Sequence, residues 1–185
     1  MRRIFVGLFA GLIAAALGSG AVPVAASGSS QTIVGIAVSN PDFSTLVAAV
    51  SCTGLVPALN GTAKYTVFAP TNEAFAKLGL NASNVCSALP RATLKNILLY
   101  HVTAGTRLAK RVLPREAGET RELRTLLEDQ SFEVNRAGVI TTSSGSTSKI
   151  VATNIRASNG VIHVIDSVLI PGANSDREGD QENDN

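Results

Sequence analysis

Residues 159–171 read Asn-Gly-Val-Ile-His-Val-Ile-Asp-Ser-Val-Leu-Ile-Pro, and this stretch decides how the rest of the chain is arranged. It begins with an Asn-Gly dipeptide, which tolerates positive φ, and ends at Pro171, which cannot donate to a sheet. Its β-branched residues favour a strand, and apolar side chains occupy both alternating faces. The sequence therefore predicts a central strand that is covered on both sides.

Two polar side chains, His163 and Asp166, lie within this apolar run. Buried polar groups need hydrogen-bond partners, so both residues need specific neighbours. We expect His163 to be structural, buried and neutral at pH 7, because desolvation disfavours the charged ring. For Asp166 the competing interpretations are pairing with backbone amides or an arginine at the strand end, and direct contact with a partner. Asn159 and Gly160 are assigned a structural role.

The N-terminus has the pattern of a secretory signal peptide, which we place at residues 1–26. Arg2 and Arg3 precede an apolar run from Ile4 to Leu17, and small residues lead to a cleavage site before Ser27. A membrane anchor is less favoured because this run is shorter than about 18–20 residues. We therefore expect a secreted, extracellular protein, or a periplasmic one in a Gram-negative bacterium, without stable membrane insertion.

Length and charge indicate one folded domain at residues 32–172, after a short leader at 27–31. Without Arg2 and Arg3 the formal net charge falls from +2 to 0. Acidic residues dominate 173–185, and this segment is predicted to be a disordered tail. The charge is too balanced for nucleic-acid binding, and no basic and aromatic stripe supports it. The sequence leaves the oligomeric state open.

The chain has two cysteines, Cys52 and Cys86. In an exported chain a single disulfide is the default expectation, with two buried thiols as the alternative. A disulfide here would close a loop of about 33 residues. It would stabilise the fold by roughly 3–4 kcal/mol. Two cysteines and two histidines without Cys-x-x-Cys argue against a zinc site, and no other metal site is expected.

Helical patterns dominate the first half of the chain and strands the second, which predicts an α+β fold. Helices are expected at 32–39, at 41–54, after Thr71, and from Pro90. Strands are expected at 65–69 and at Tyr100-His101-Val102. A β-rich half follows, with short strands at 123–127, 131–134, 139–142 and 149–155 and a long hairpin turn at 143–148.

Three separated motifs resemble the fasciclin-like domain family. Thr66-Val67-Phe68-Ala69-Pro70-Thr71-Asn72-Glu73-Ala74-Phe75 is similar to its first signature, and Leu99-Tyr100-His101-Val102 to its Tyr-His motif. Residues 159–171 are similar to its second signature. The resemblance covers about residues 32–172, and three motifs in the right order are more specific than any single one.

The resemblance implies a β-sandwich or wedge of two sheets with helices packed on one side. It also implies an extracellular role in adhesion through proteins or matrix, with no cofactor and no catalytic chemistry. The partner-binding residues that it implies are Leu98, Leu99, Tyr100, His101, Val102, Asp166 and Ile170. Because Tyr100 and His101 alternate in direction, at least one of them is expected to face the core, so a lost fold could mimic lost adhesion.

Residue patterns give little support for catalysis. Residues 27–185 contain no Gly-x-Ser-x-Gly segment and no phosphate-binding glycine loop, and we assign no catalytic residue. The leading hypothesis is a secreted cell-adhesion or matrix-interaction module that binds an extracellular or cell-surface protein or a matrix polysaccharide. The alternative is a soluble extracytoplasmic carrier of a small apolar or glycan ligand. A large exposed apolar patch would favour the first, and a deep apolar pocket would favour the second.

Overall fold

The computed structural model of the protein describes residues 30–172. The predicted signal peptide and acidic tail lie outside the described residues. The helices are α1 (Ile33–Ser39), α2 (Ser44–Thr53), α3 (Val56–Leu59), α4 (Asn72–Ala76), α5 (Val85–Ala88), α6 (Arg91–Tyr100) and α7 (Ala109–Val112). The strands are β1 (Tyr65–Pro70), β2 (Val102–Ala104), β3 (Thr120–Arg124), β4 (Ser131–Asn135), β5 (Val139–Thr142), β6 (Thr147–Ala157) and β7 (Gly160–Ile165).

Side chains and glycine set several helix ends. Thr32 precedes α1, and its hydroxyl accepts the Gly35 N–H. Thr71 caps α4 in the same way by accepting the Ala74 N–H. Helix α2 ends at Gly54, whose φ of 74° lies in the left-handed region that glycine enters without steric cost. These caps set the residues at which the helices begin or end.

The seven strands are hydrogen-bonded in the order β2-β1-β7-β6-β5-β4-β3. The β1–β7 pair is parallel, and the other pairs are antiparallel. The predicted α+β class is confirmed. The two expected sheets, β2-β1-β7-β6 and β6-β5-β4-β3, are present and are joined, because the long strand β6 pairs with β5 at its start and with β7 along the rest of its length. The two halves therefore share one strand and form one continuous sheet.

Strand β7 is buried at every position and lies between β1 and β6, which confirms the predicted central strand. One face of β1 and β7 packs on the helices in the helix-side core, which includes Val67, Ala69, Ile162 and Val164. The opposite face packs on β3, β4 and β5 in the strand-side core, which includes Phe68, Phe132 and Ile165. The parallel pair is thus the wall that the two cores share.

Two strand predictions are wrong in position. Tyr100 is the last residue of α6 and His101 is in the following turn, so β2 begins only at Val102. The predicted strand at 123–127 is instead β3 at Thr120–Arg124. The reason is that the Leu126 N–H leaves the β4 ladder and donates to the Val102 carbonyl at 2.7 Å. This bond also brings the segment after β3 to the edge strand β2.

A disulfide joins Cys52 in α2 to Cys86 in α5, with 6.1 Å between their Cα atoms. It ties two helices of the helix-side layer together. Among residues 30–172, no single helix is long and apolar enough to cross a bilayer. The helical segments Ile33–Ser39 and Pro41–Thr53 are long and apolar enough only when they are taken together, and the angle between them is 108°.

Candidate functional site

The second signature begins with two residues that fix the position of β7. The buried Asn159 side chain accepts the Ile33 N–H at 2.8 Å and donates to the carbonyls of Leu59 and Gly61 at 2.7 and 3.1 Å. It therefore connects the start of β7 to the start of α1 and the end of α3. A Cβ atom at Gly160 would lie 1.9 Å from the Tyr65 carbonyl oxygen, so only glycine permits this approach of β7 to β1.

His163 is fully buried on the strand-side face of β7. Its Nε2 lies 2.9 Å from the Arg107 carbonyl oxygen, and its Nδ1 accepts the Asn154 N–H at 3.4 Å. These partners assign the neutral tautomer with the proton on Nε2. Desolvation lowers the pKa of His163 below its usual value, although the bond to Arg107 opposes the shift. The ring also stacks on Phe68, with 5.5 Å between centroids, so its surroundings are those of a core residue.

Tyr100 of the Tyr-His motif is completely buried in the strand-side core. Its hydroxyl donates to the Ser131 carbonyl at 2.7 Å and accepts the Ser143 N–H at 3.2 Å. The edge of its ring meets Phe132, with 5.8 Å between centroids. Tyr100 thus joins the end of α6 to β4 and to the turn after β5.

His101, the second residue of the motif, is also buried. Its Nδ1 donates to the Ile97 carbonyl at 2.7 Å, and its Nε2 accepts the Leu169 N–H at 2.9 Å. Desolvation lowers the pKa of His101 to about 4, with the Ile97 bond opposing the shift. The neutral ring therefore connects α6 to the end of the second signature. The motif also reaches β1, because the His101 carbonyl accepts the Phe68 N–H at 2.9 Å.

Burial divides the expected partner-binding residues into core and surface positions. Four of the expected side chains are buried: Leu98, Tyr100, His101 and Val102. They could contact a partner directly only if the domain opened. Leu99 is half-buried and packs against the helix-side core. Asp166 is half-buried, and Ile170 is 38% exposed. Only the last three therefore offer surface to a partner.

Asp166 and Ile170 lie on a rim beyond the carboxyl end of β7, which we call the signature rim and define by Lys77, Ser144, Asp166, Ser167 and Ile170. The Lys77 ammonium donates to the Asp166 carbonyl at 2.7 Å and to the Ser167 hydroxyl at 3.0 Å. The Ser144 hydroxyl donates to the Ile170 carbonyl at 2.9 Å. Contacts from α4 and from the turn after β5 thus hold the rim in place.

The Asp166 carboxylate serves the fold first. It accepts the Lys149 N–H at 2.9 Å and the Ser148 hydroxyl at 3.2 Å. Desolvation raises the pKa of this carboxyl, but hydrogen bonds from Lys149, Ser167 and Ser148 and the charge of Lys77 outweigh it and leave the pKa below its usual value. Of the two structural partners expected for Asp166, backbone amides and an arginine, the structure has the backbone amide, that of Lys149, and the nearby cation is Lys77.

The described residues also form an apolar pocket between the first three helices and the sheet, with a cavity of about 150 Å³. Its lining is aliphatic apart from one serine and comprises Ile33, Val34, Ala37, Val38, Leu46, Val47, Val50, Ser51, Val56, Leu59, Val67 and Val102. The sequence did not predict this pocket in particular. One signal for it is that α1 is apolar on all sides, although a helix at a domain surface usually has a single apolar face.

Within residues 30–172, the histidines and the metal-ligating types of side chain are not arranged as a metal site or a free base. No three side chains of the His, Cys, Asp and Glu types lie close enough together there to hold a metal ion. Both nitrogens of each histidine are engaged by backbone groups. Neither ring is free to take a proton from a substrate, which a general base must do.

Comparison with known proteins gives consistent matches. The model of the fasciclin domain matches residues 41–171. The chain is 43% identical over 160 residues to protein sll1483 of Synechocystis sp., covering 83% of this chain and 81% of that protein. It is 34% identical over 151 residues to transforming growth factor-beta-induced protein ig-h3 of Sus scrofa, covering 81% of this chain but 21% of that protein.

A solved structure matches as well. It is a FAS1 domain pair from the insect cell adhesion molecule fasciclin I, with a TM-score of 0.63 and 23% identity. The match covers 77% of this chain and 51% of the solved chain. At this identity the likeness establishes a shared fold.

Proposed function

This chain belongs to the fasciclin domain family, and from that premise we propose that it is a secreted cell-adhesion or matrix-interaction module. It acts by non-covalent binding of an extracellular or cell-surface protein or of a matrix polysaccharide. The proposal includes export through the signal peptide at residues 1–26, and the Cys52–Cys86 disulfide fits an oxidising compartment. The domain carries out no chemistry of its own.

The observation that carries the proposal is the exposed Ile170 on the signature rim. This large apolar side chain is 38% exposed, and its residue does not lie on a free loop because the Ile170 carbonyl accepts the Ser144 hydroxyl. Beside it the charged ends of Lys77 and Asp166 are paired with neighbouring groups, as in the polar margin of an interface. An ordered apolar side chain with polar neighbours suits the docking of a partner, because little conformational entropy is lost on binding.

The Tyr-His motif supports this surface from beneath. The His101 ring accepts the N–H of Leu169, the residue before Ile170. The Tyr100 hydroxyl accepts the N–H of Ser143, the residue before Ser144. Substitution in the motif is therefore expected to weaken adhesion by displacing the rim, without the motif contacting the partner.

A single copy of the domain has one such rim and cannot connect two surfaces by itself. Weak sites gain strength when several are linked, because the second binding event becomes intramolecular. Adhesion through this domain therefore requires several copies of it, linked to one another or displayed on one surface. The affinity of one domain for its partner is expected to be low.

The test is retention of extracellular proteins and polysaccharides from the source organism on immobilised protein spanning residues 27–185. Ile170→Asp places a charge on the rim, and we expect at least tenfold less retained partner. Val151→Asp is the matched control, because Val151 is also an exposed apolar residue but lies on β6 and belongs neither to the rim nor to the pocket lining. Thermal melting of both variants verifies that they are folded.

If the Ile170→Asp variant retained as much partner as the unchanged protein, the signature rim would not be the binding surface. Retention of a small molecule alone would overturn the adhesion role.

A further inference from the structure

The apolar pocket is not part of the signature rim, and it points to a binding activity beyond adhesion. We propose that the pocket between α1, α2, α3 and the sheet binds the aliphatic end of a neutral apolar molecule. The cavity volume of about 150 Å³ sets the size of that end. An apolar cavity of this volume accepts a group of about six carbon atoms, the size of benzene.

The lining determines the chemical class. Only one lining side chain, Ser51, carries a polar group, and its hydroxyl donates to the Val47 carbonyl of its own helix at 2.8 Å. No charged side chain lines the pocket. A buried hydroxyl or carboxylate of a ligand would therefore lose its water without gaining a partner. The part of the ligand that enters is a hydrocarbon.

The mouth of the pocket indicates that the ligand continues outward. Val38 lines the pocket and is 63% exposed, more than the other exposed large apolar side chains of residues 30–172. Val34, Val47 and Val56 are half-buried around it. The apolar lining thus extends past the cavity onto the surface, where it can cover the next part of an apolar chain. The pocket suits the end of a longer alkyl or isoprenoid chain.

The walls are fixed, so the cavity is a stable feature of the fold. The Asn159 side chain accepts the Ile33 N–H and holds the start of α1. The disulfide at Cys52 holds the end of α2 to α5. The pocket is therefore bounded by elements that the rest of the fold holds in place.

The test uses two probes of equal length, 1-hexanol and 1,6-hexanediol, with the chain at residues 27–185. Both can place one hydroxyl at the mouth, but the diol must also bury its second hydroxyl among aliphatic side chains. We expect 1-hexanol to cause saturable shifts in the NMR signals of the valine and leucine methyl groups that line the pocket. The diol is expected to bind at least tenfold more weakly.

Two variants fill the pocket from different helices, Ala37→Leu from α1 and Val47→Phe from α2. Each is expected to reduce 1-hexanol binding at least tenfold. Ala58→Leu is the matched control on α3, because Ala58 is exposed and does not line the pocket. Since either filling variant could fail to fold, thermal melting selects the one that is interpreted.

The proposal is overturned if no saturable shift occurs, if the diol binds as well as 1-hexanol, or if a folded filling variant binds normally. It is also overturned if residues 1–26, when retained, occupy the pocket and block the probe. A dependence of the shifts on protein concentration would instead assign the pocket to a second copy. None of these results depends on the rim variant Ile170→Asp, so failure of this proposal is distinguishable from failure of the adhesion role.

Discussion

The helix-side core and the strand-side core share the β1–β7 wall but differ in how they are filled. The strand-side core packs large rings against one another, with Phe68 and Phe132 edge to face at 5.0 Å and Tyr100 beside them. The helix-side core, made largely of aliphatic residues, contains the cavity. The packed aromatic rings and the hydrogen-bonded Tyr100 hydroxyl specify one side-chain arrangement in the strand-side core. The aliphatic side chains of the helix-side core leave space between the helices.

This difference separates two kinds of role within one domain. The strand-side core contains Tyr100 and lies next to both buried histidines, and its hydrogen bonds reach the segment that carries the signature rim. The helix-side core offers volume instead of fixed polar contacts. Substitutions in the first are therefore expected to act on stability and on the rim together, while substitutions in the second are expected to act on the pocket.

The largest expected effect comes from the wall that both cores share. In Gly160→Ala the added Cβ would lie 1.9 Å from the Tyr65 carbonyl oxygen, and the parallel β1–β7 pairing could not form. We expect a loss of more than about 4 kcal/mol in the free energy of unfolding, or failure to fold. Urea unfolding followed by circular dichroism measures it. Gly61→Ala, whose Cβ would meet ordinary contacts at 3.6 Å, is the control. A stable Gly160→Ala protein would show that the wall is not required.

The next largest effect is the loss of unfolding free energy when a tyrosine is removed from either core. Tyr100→Ala removes a fully buried ring and is expected to cost about 4 kcal/mol. Tyr65→Ala removes a half-buried ring that packs against the helix-side core, and about half that loss is expected. Tyr100→Phe is expected to cost about 1–2 kcal/mol, because the Ser143 N–H loses its acceptor. The midpoints of urea unfolding give all three values. If Tyr100→Ala abolished adhesion but melted like the unchanged protein, direct contact of the motif with a partner would be favoured instead.

A pH titration tests the hydrogen bonds of the buried histidines. The folded-state pKa of His101 is about 4, while the unfolded value is 6.5, so the unfolded chain takes up the proton first. Stability is therefore complete above about pH 6.5 and is lost as the pH falls toward 4, by about 3 kcal/mol from this residue. The lowered pKa of His163 acts in the same direction. In His101→Gln the dependence between pH 6.5 and 4 should be shallower. An unchanged slope would assign the acid sensitivity elsewhere.

The smallest expected effect is the change in stability when a larger side chain is placed in each core. Ala37→Leu adds carbon atoms next to the cavity and is expected to raise stability by about 1 kcal/mol. Val134→Ile adds a methylene to the fully buried strand-side core, and a loss of about 1–2 kcal/mol is expected from overpacking. Opposite shifts of the melting temperature would confirm the contrast. Shifts of the same sign would mean that the cores are equally filled.

Much of the fold could be predicted from sequence, because periodicity reports which faces are apolar. The α+β class follows from such local patterns, as do the central strand, predicted at 159–171 and observed at 160–165, and the turn, predicted at 143–148 and observed between Thr142 and Thr147. The end of α6 could not be placed in this way. Tyr100-His101-Val102 has the composition of a strand, but the His101 ring binds the Ile97 carbonyl one turn earlier and terminates a helix.

The site was less predictable, because burial depends on contacts between distant segments. The resemblance pointed to Tyr100 and His101, but their partners Ser143 and Leu169 come 43 and 68 residues later. The cavity depends on small differences in packing between three helices and two strands, which no pattern of apolar residues specifies. The resemblance identifies the rim residues Asp166 and Ile170, and their role in binding stays a prediction.

The parallel pairing of β1 with β7 also has a consequence for the order in which the protein can fold. Tyr65 pairs with Gly160, so the central wall cannot form until nearly all of the domain has been synthesised. Contacts between residues this far apart slow folding, because the intervening chain must first be closed into a loop. A chain that stays unfolded until its C-terminal strand emerges is suited to passage through an export channel. Under the export proposed above, the late position of β7 would delay folding until the domain has crossed the membrane.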